Sequence, residues 1–229
     1  MMSKLIFPKL AALVLCLITT SLACQAQRKR DWHPGNITFK DGHELSGKLY
    51  YKIEEEALLL QEADSFRTFR PVDVHAFQIQ QRDSFKTFYA LPFDLNEDNS
   101  PTVFFQLLKE LPDFWVLSRK APKEKIVIST YGNPNGVPSS QTFRNQTEMI
   151  FFLTNDGKVT LYHSSAELMA RPALSEKRKT VKANIAFLQQ LTDPYYTKLV
   201  EYADNAGLDF ENAADLLIIL EYYVILAGS

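Results

Sequence analysis

The side chains best suited to metal chemistry in this sequence are its histidines and one acidic segment. The histidines are His33, His43, His75 and His163. None of them has a second ligand at the short spacing of a helical zinc motif. The acidic segment, Asp94-Leu-Asn-Glu-Asp-Asn-Ser100, begins like a calcium loop, but such a loop needs Gly at its sixth position and Glu at its twelfth. Those positions hold Asn99 and Phe105, so the sequence predicts a solvated connector and neither a metal site nor a cofactor.

The nucleophiles and acids that catalysis would need follow no known motif. The chain has no Gly-x-Ser-x-Gly elbow, no phosphate-binding loop and no dinucleotide-binding fingerprint. Glu54-Glu-Glu56 is predicted to be a charged turn between strands. Three tyrosine pairs are predicted to be structural, and the alternative is a platform for a ligand: Tyr50–Tyr51, Tyr195–Tyr196 and Tyr222–Tyr223. In a strand one ring of a pair faces the core and the other faces out, and in a helix tyrosines often bridge core and surface. The sequence favours a non-catalytic protein, and the alternative is a hydrolase whose carboxylates meet only in the folded chain.

The N-terminal 26 residues have the three-part layout of a secretory signal peptide. Lys4 and Lys9 precede the apolar run Leu10–Ile18, and small residues follow as far as Ala26. The run is shorter than the roughly 20 apolar residues that a bilayer-spanning helix needs. We therefore predict export, with cleavage between Ala26 and Gln27, to the periplasm or to the outer-membrane or extracellular face. The alternative is a lipoprotein, because Ser21-Leu-Ala-Cys24 is similar to a lipobox and would place the lipid on Cys24.

The composition after cleavage is that of a globular, weakly acidic protein. Cleavage after Ala26 leaves 203 of the 229 residues, and losing Lys4 and Lys9 leaves 23 basic against 27 acidic residues, a net charge of −4. Such a chain lacks the basic face that nucleic-acid recognition normally requires. Both cysteines lie in the leader, at Cys16 and Cys24, so no internal disulfide and no cysteine-ligated zinc is expected. The partner that this composition favours is another envelope protein, with no transmembrane span in the mature chain and the oligomeric state left open.

Two β-rich blocks are predicted to fill the first two-thirds of the mature chain. Residues 32–93 alternate polar and apolar side chains in short runs, and Asp41-Gly42 joins the first two as a hairpin. A polar connector precedes the second block, residues 102–165, which packs either separately or with the first as one domain. In that block we predict separate strands at Phe114–Leu117 and Ile126–Ile128, and an exposed loop from Tyr131 to Gln146.

Residues 175–229 change to a helical period of about 3.6. Val181, Ile185, Leu188 and Leu191 share one predicted face. Asp193 is predicted to cap a second helix that has Pro194 at its first position and stops at Gly207. A last helix, capped by Asp209, is predicted from Phe210 to about Leu226 and is apolar nearly all round, so it must be buried. We predict that it lies in the core of its own chain, and the alternative is a groove on a partner.

Together these patterns predict an α+β fold. Its N-terminal two-thirds would be an antiparallel sandwich, roll or curled sheet, and its C-terminal part a bundle of about three helices.

Three stretches carry a resemblance to a known group of proteins: residues 35–49, 104–117 and 151–161. The first reads Gly-Asn-Ile-Thr-Phe-Lys-Asp-Gly-His-Glu-Leu-Ser-Gly-Lys-Leu. With the helical tail, these stretches resemble exported proteins of Bacteroidota that begin with a β-hairpin carrying an internal Gly. The resemblance implies export and the same order of β-rich and helical parts, and it assigns no activity and no functional residue.

Overall fold

A computed structural model gives the fold and describes residues 31–93, 100–129, 139–162 and 174–228. For residues 121–129, 139–147 and 174–178 the description is of the backbone alone. The strands are β1 (His33–Phe39), β2 (Glu44–Lys52), β3 (Ala57–Gln61), β4 (Phe66–Phe69), β5 (Val74–Gln81), β6 (Ser84–Pro92), β7 (Thr102–Glu110), β8 (Phe114–Ser129), β9 (Ser139–Thr154) and β10 (Val159–Tyr162). The helices are α1 (Leu174–Thr192), α2 (Tyr196–Ala206) and α3 (Ala213–Ala227).

The ten strands form a single antiparallel sheet in the order β10-β9-β8-β7-β6-β5-β1-β2-β3-β4. Both predicted β-rich blocks contribute to it, and the sheet does not close on itself, because β10 and β4 are its two edges. The three helices follow the sheet in the chain. The predicted α+β class is thus confirmed.

The first hairpin shows why the sequence folds as it does at the N-terminus. Gly42 adopts a φ of +88°, a left-handed conformation that glycine takes without strain, so the chain reverses at Asp41-Gly42 as predicted. Gly35 lies where a Cβ atom would be 2.1 Å from the Gln78 carbonyl oxygen on β5. Only glycine allows β1 and β5 to come this close, which explains the glycine near the start of β1.

The sheet curls so strongly that strands distant in its order meet across a core. The Tyr51 ring on β2 makes edge contacts with Phe77, Phe88 and Phe104 on β5, β6 and β7, at centroid distances of 5.4–5.5 Å. Ile37, Leu49 and Leu58 are fully buried in the same cluster. Edge-to-face packing of this kind is favourable for aromatic rings. The inside of the curl is therefore an aromatic core.

Successive residues of the central strands pack into two further hydrophobic clusters, one on each face of the sheet, because side chains alternate between the faces of a strand. Val116, Ile150 and Phe152 face the helices. Phe105, Leu117 and Phe151 are fully buried in the third cluster, on the opposite face. Helix α3 buries Leu216, Ile219, Leu220 and Tyr223 against the sheet and the other helices.

The last helix is placed as predicted, with one correction. It packs into the core of its own chain, but only along one side. Ile218 and Ile225 on its outer side are 42% and 67% exposed. The prediction that the helix is buried nearly all round was therefore wrong for this outer side.

Two predicted helix caps were also wrong. Helix α2 begins at Tyr196, and Asp193-Pro194 instead forms the turn that precedes it, in which the Tyr195 N–H bonds the Thr192 carbonyl at 2.8 Å. Helix α3 is capped by Asn212, whose side chain accepts from the Ala214 and Asp215 amides at 2.9 and 3.3 Å. Aspartate and asparagine are equally good caps. Residue type alone therefore did not decide between Asp209 and Asn212.

The second β-rich block differs most from expectation. Phe114–Leu117 and Ile126–Ile128 are parts of one strand, β8, because the charged segment between them pairs with β9. Ser139 to Gln146, predicted to be loop, belong to β9. The polar sequence of this segment favours a loop, but its pairing with β8 provides the backbone hydrogen bonds of a strand without apolar alternation.

No helix in the described part of the chain is both long enough and apolar enough to cross a membrane.

Candidate functional site

The structure does not bring together the residues that the sequence analysis considered as metal ligands. Ala26, Gln27, Cys24, His163 and the segment 94–99 lie outside the described residues. His33 stands at the start of β1, and His75 on β5 is exposed with its ring 6.1 Å from that of Tyr89. Within the described ranges, no group of three or more His, Cys, Asp or Glu side chains is arranged to hold a metal ion.

His43 has a local, structural environment in the first hairpin turn. Its ring stacks on Phe39 at 4.0 Å, and its Nδ1 lies 2.5 Å from Asp41 Oδ1. The backbone N–H of His43, followed by its ring, lowers the pKa of Asp41. Both side chains are exposed, at 55% and 70%. This pair orders the turn.

The tyrosine pairs pack much as structural tyrosines do. Tyr51 lies in the aromatic core and Tyr223 is buried against Phe114. Tyr222 stacks on Tyr202 at 4.3 Å, linking α3 to α2. None of these contacts forms an open platform for a ligand.

The most connected polar cluster joins Glu56 to residues far away in sequence, and we call it the latch: Tyr51, Glu56, the Phe104 amide and Arg119. The Glu56 carboxylate accepts from Arg119 Nη2 at 2.9 Å, from the Phe104 N–H at 3.2 Å and from the Tyr51 hydroxyl at 3.1 Å. The Arg119 and Glu56 side chains are only 19% and 23% exposed. Hydrogen bonds to a charged group with this little solvent are stronger than neutral ones.

The electrostatics of the latch follow from its burial. Desolvation raises the pKa of Tyr51 above its ordinary value, and the neighbouring Glu56 carboxylate raises it further. Tyr51 is therefore a stable hydrogen-bond donor to Glu56. The Arg119 Nε atom is buried with no hydrogen-bond partner in the described residues, so only part of the guanidinium is satisfied. Glu56 itself has a φ of +47°, which is unfavourable for a residue with a side chain. A position of this kind persists because the surrounding contacts hold it.

The latch sits where β8 leaves the sheet. The last β7–β8 pair is Gln106 with Ser118, so the Phe104 amide lies just beyond it on β7. The Glu56 carboxylate accepts a hydrogen bond from that amide. It also binds Arg119, the first residue of β8 that is no longer paired with β7. The carboxylate thus replaces the missing strand contact at the point where the two strands separate.

Beyond the latch, β8 and β9 continue alone as a two-stranded ribbon, Arg119–Ser129 paired with Ser139–Met149. The two strands make sixteen residue pairs, of which the first five lie in the body of the sheet and eleven form the ribbon. Strand β10 pairs with β9 no further than Ile150. At about 3.3 Å per residue, eleven pairs are about 35 Å long. In the described chain, no third strand pairs with either side of the ribbon.

The two sides of the ribbon differ in sequence. The β8 strand carries Pro122, which has no N–H to donate, and three lysines, Lys120, Lys123 and Lys125. Proline and lysine are the residues that natural proteins place on an edge to prevent strand addition. The β9 strand has neither, and reads Ser-Ser-Gln-Thr-Phe-Arg-Asn-Gln-Thr-Glu-Met. The outer side of β9 is therefore the side that best accepts another strand.

Sequence reasoning found neither the latch nor the ribbon. Glu56 and Arg119 are 63 residues apart, and nothing in either local pattern points to the other. The available signal was the position of Glu56, the last of three consecutive glutamates and directly before the apolar run Ala57-Leu-Leu-Leu60. For the ribbon, the signal was the similar length of the polar stretches on either side of the Gly- and Pro-rich residues 132–138.

Comparison with known proteins gives no relative: no family model, no curated protein and no solved structure matches this chain.

Proposed function

We propose that the protein is an exported, non-catalytic interaction or assembly module of the cell envelope, and that the ribbon is its contact arm. The observation that carries the proposal is the ribbon of eleven pairs without a third strand in the described chain. A two-stranded hairpin is only marginally stable in water, and its outer edges present backbone groups ready for pairing. Adding a strand from a partner would satisfy the edge of β9 and stabilise the arm.

Three features support this role. The latch fixes the root of the arm to the sheet through Arg119, so that a partner would meet it in a defined direction. The ribbon carries five basic and two acidic residues, a net charge of +3 in a chain of net charge −2. This contrast favours a partner with an acidic surface, through complementary charge. The leader, ending at Ala26 or giving a lipidated Cys24, would deliver the module to the envelope, where lipidation would make it an anchored subunit.

A variant without the ribbon tests the proposal. Residues 121–147 are replaced by Asn-Gly, which joins Lys120 to Glu148, because these two residues are direct cross-strand partners and a two-residue turn can connect them. Wild type and variant are expressed in the native host, cross-linked in intact cells, and purified from the envelope. We expect wild type in a discrete complex of higher mass and the variant as the free chain, with equal melting temperatures.

Two results would contradict the proposal. The same cross-linked complexes from both proteins would exclude the ribbon as the contact arm. Turnover of an envelope substrate by the purified protein, abolished by a single carboxylate substitution, would favour the alternative of a hydrolase.

A further inference from the structure

An open groove lies between the β7–β8 turn and helix α3, near the start of β8 and away from the ribbon. Its volume is about 650 Å³, within the range of ligand sites. Leu111, which is 4% exposed, and Val224 give it apolar walls. Tyr223 donates to Asp113 at 2.8 Å and so fixes the turn to the helix beside the groove. The groove is thus bounded by elements that are held together.

The charged side chains of the groove leave one carboxylate available. Lys109 Nζ bonds Glu221 Oε1 at 2.9 Å, and these two charges compensate each other across the groove. Glu110 also lines the groove, is exposed, and makes no ion pair with any described residue. The lining therefore has a net charge of −1, located at Glu110.

Trp115 stands directly opposite Glu110 on the neighbouring strand. Residues paired in this way have Cβ atoms about 4.5–5.5 Å apart and side chains on the same face. The indole is held in place by Tyr89, at a centroid distance of 4.9 Å. Burial raises the pKa of Tyr89, and the charge of Glu110 raises it further, as expected if this carboxylate lies close to the aromatic pair. A fixed indole thus lies beside an unpaired carboxylate.

We propose that this groove binds an arginine side chain presented by an extended segment of a partner protein. The guanidinium edge can make two parallel hydrogen bonds to the Glu110 carboxylate. Its flat face can stack on the Trp115 indole, which packs on the third cluster and lies on the same face as its cross-strand partner Glu110. A lysine ammonium offers no flat face and no fork of donors, so arginine fits this combination better. The site is independent of the ribbon.

Short peptides test the proposal on the mature protein carrying Trp32→Phe, which leaves Trp115 as its single tryptophan. The probes are acetyl-Gly-Arg-Gly-amide, the same peptide with lysine, and the same peptide with citrulline, which keeps the shape of arginine and removes its charge. Binding is followed by Trp115 emission and by the indole N–H signal in NMR spectra. We expect saturable binding of the arginine peptide, and binding of the citrulline peptide weakened about tenfold, as loss of a charged hydrogen-bond pair predicts.

Two single substitutions test whether the arginine peptide binds in the groove. Glu110→Gln should weaken binding of the arginine peptide about tenfold, whereas Glu201→Gln, an exposed carboxylate on α2, should change it less than twofold. Circular dichroism checks that both variants fold. Equal binding of the arginine and citrulline peptides, equal binding of the lysine peptide, or an unchanged affinity in Glu110→Gln would each overturn the proposal. None of these results depends on whether the ribbon binds a partner.

Discussion

At the scale of single residues, Glu56 joins strands that are distant in the sheet order. One carboxylate satisfies a backbone amide on β7, a guanidinium on β8 and a hydroxyl on β2, and so connects three strands of the curled sheet. Its left-handed backbone conformation costs free energy that these contacts offset. Removing the charge should therefore destabilise the fold as well as loosen the root of the ribbon.

We expect Glu56→Gln to lower the free energy of unfolding by about 1–3 kcal/mol, because Arg119 would lose its partner while remaining mostly buried. Urea unfolding, followed by circular dichroism, measures the change. The control is Glu62→Gln, which breaks the exposed 3.6 Å pair with Arg67 and should cost less than about 0.5 kcal/mol. Equal effects of the two substitutions would mean that the latch does not stabilise the sheet.

Tyr223 should make the stability of the protein sensitive to alkaline pH. Burial, followed by the hydrogen bond to Asp113, raises its pKa from 10 to about 12. The folded chain therefore holds this proton over a range in which the unfolded chain has lost it, so the contribution is complete below pH 10 and is lost as pH rises towards 12. Tyr223→Phe keeps the ring but cannot ionise. We expect its stability deficit against wild type to be largest at pH 8–9 and to shrink by pH 11.5.

Unfolding free energies of the two proteins at intervals between pH 8 and pH 11.5 test this. A deficit that stays constant over the whole range would show that Tyr223 does not lose its proton differently in the two states. A deficit that grows with pH would contradict the sign of the effect.

The residue scale also shows where sequence reasoning ends. The first turn was predictable because its signal is local: Gly42 adopts a positive φ in the predicted turn. The contacts of Glu56 with Phe104 and Arg119 were not predictable, since these residues lie 48 and 63 positions away in the sequence. The same holds for the groove, because Glu110 and Trp115 are close in sequence but Glu221 comes from the last helix.

At the scale of elements, helix α3 contributes one buried side to the core. Its inner side packs Leu216, Ile219 and Leu220 against the sheet and helices, while Ile218 and Ile225 point outward. The periodicity of the sequence identified the helix but not its inner side, because the helix is apolar all round. Only the packing of the other elements decides which residues are buried.

Leu220→Ala should lower the free energy of unfolding by about 2–5 kcal/mol, since Leu220 is 1% exposed and a cavity would remain. The matched control is Ile225→Ala in the same helix, where 67% exposure predicts a change below about 0.5 kcal/mol. Chemical denaturation of both variants provides the values.

Truncation after Gly207 removes α3 altogether and should leave an aggregating or unfolded chain. A truncated protein that stays monomeric and as stable as wild type would show that α3 serves another protein instead of its own core.

The predicted strand boundaries in the second β-rich block were wrong for a different physical reason. Residues 119–125 and 139–146 are mostly polar, and such stretches, the first of them with Pro122, favour breaks between strands. Pairing between the two segments overrides this tendency, because each supplies the backbone hydrogen bonds of the other. Pairing partners of this kind cannot be read from the pattern of one segment alone.

At the scale of the whole molecule, location decides which partners the protein can meet. The leader predicts a mature chain that begins near Gln27, or at Cys24 with a lipid attached. We expect mass spectrometry of the protein from native cells to find one of these two N-termini, in the envelope fraction. An intact leader on protein from the cytoplasmic fraction would contradict both export and the proposed envelope role.

The independence of the ribbon has a consequence for how such a protein can change over evolution. Because no third strand pairs with the backbone of the ribbon in the described chain, pairs beyond Arg119 can be inserted or deleted without disturbing the register of the sheet. Side chains alternate between faces, so a change of two pairs preserves which face each residue presents, whereas a change of one pair reverses it. Each permitted step moves the tip by about 6.6 Å. As the proposed contact arm, the ribbon would act as a spacer whose length can change while the folded body stays the same.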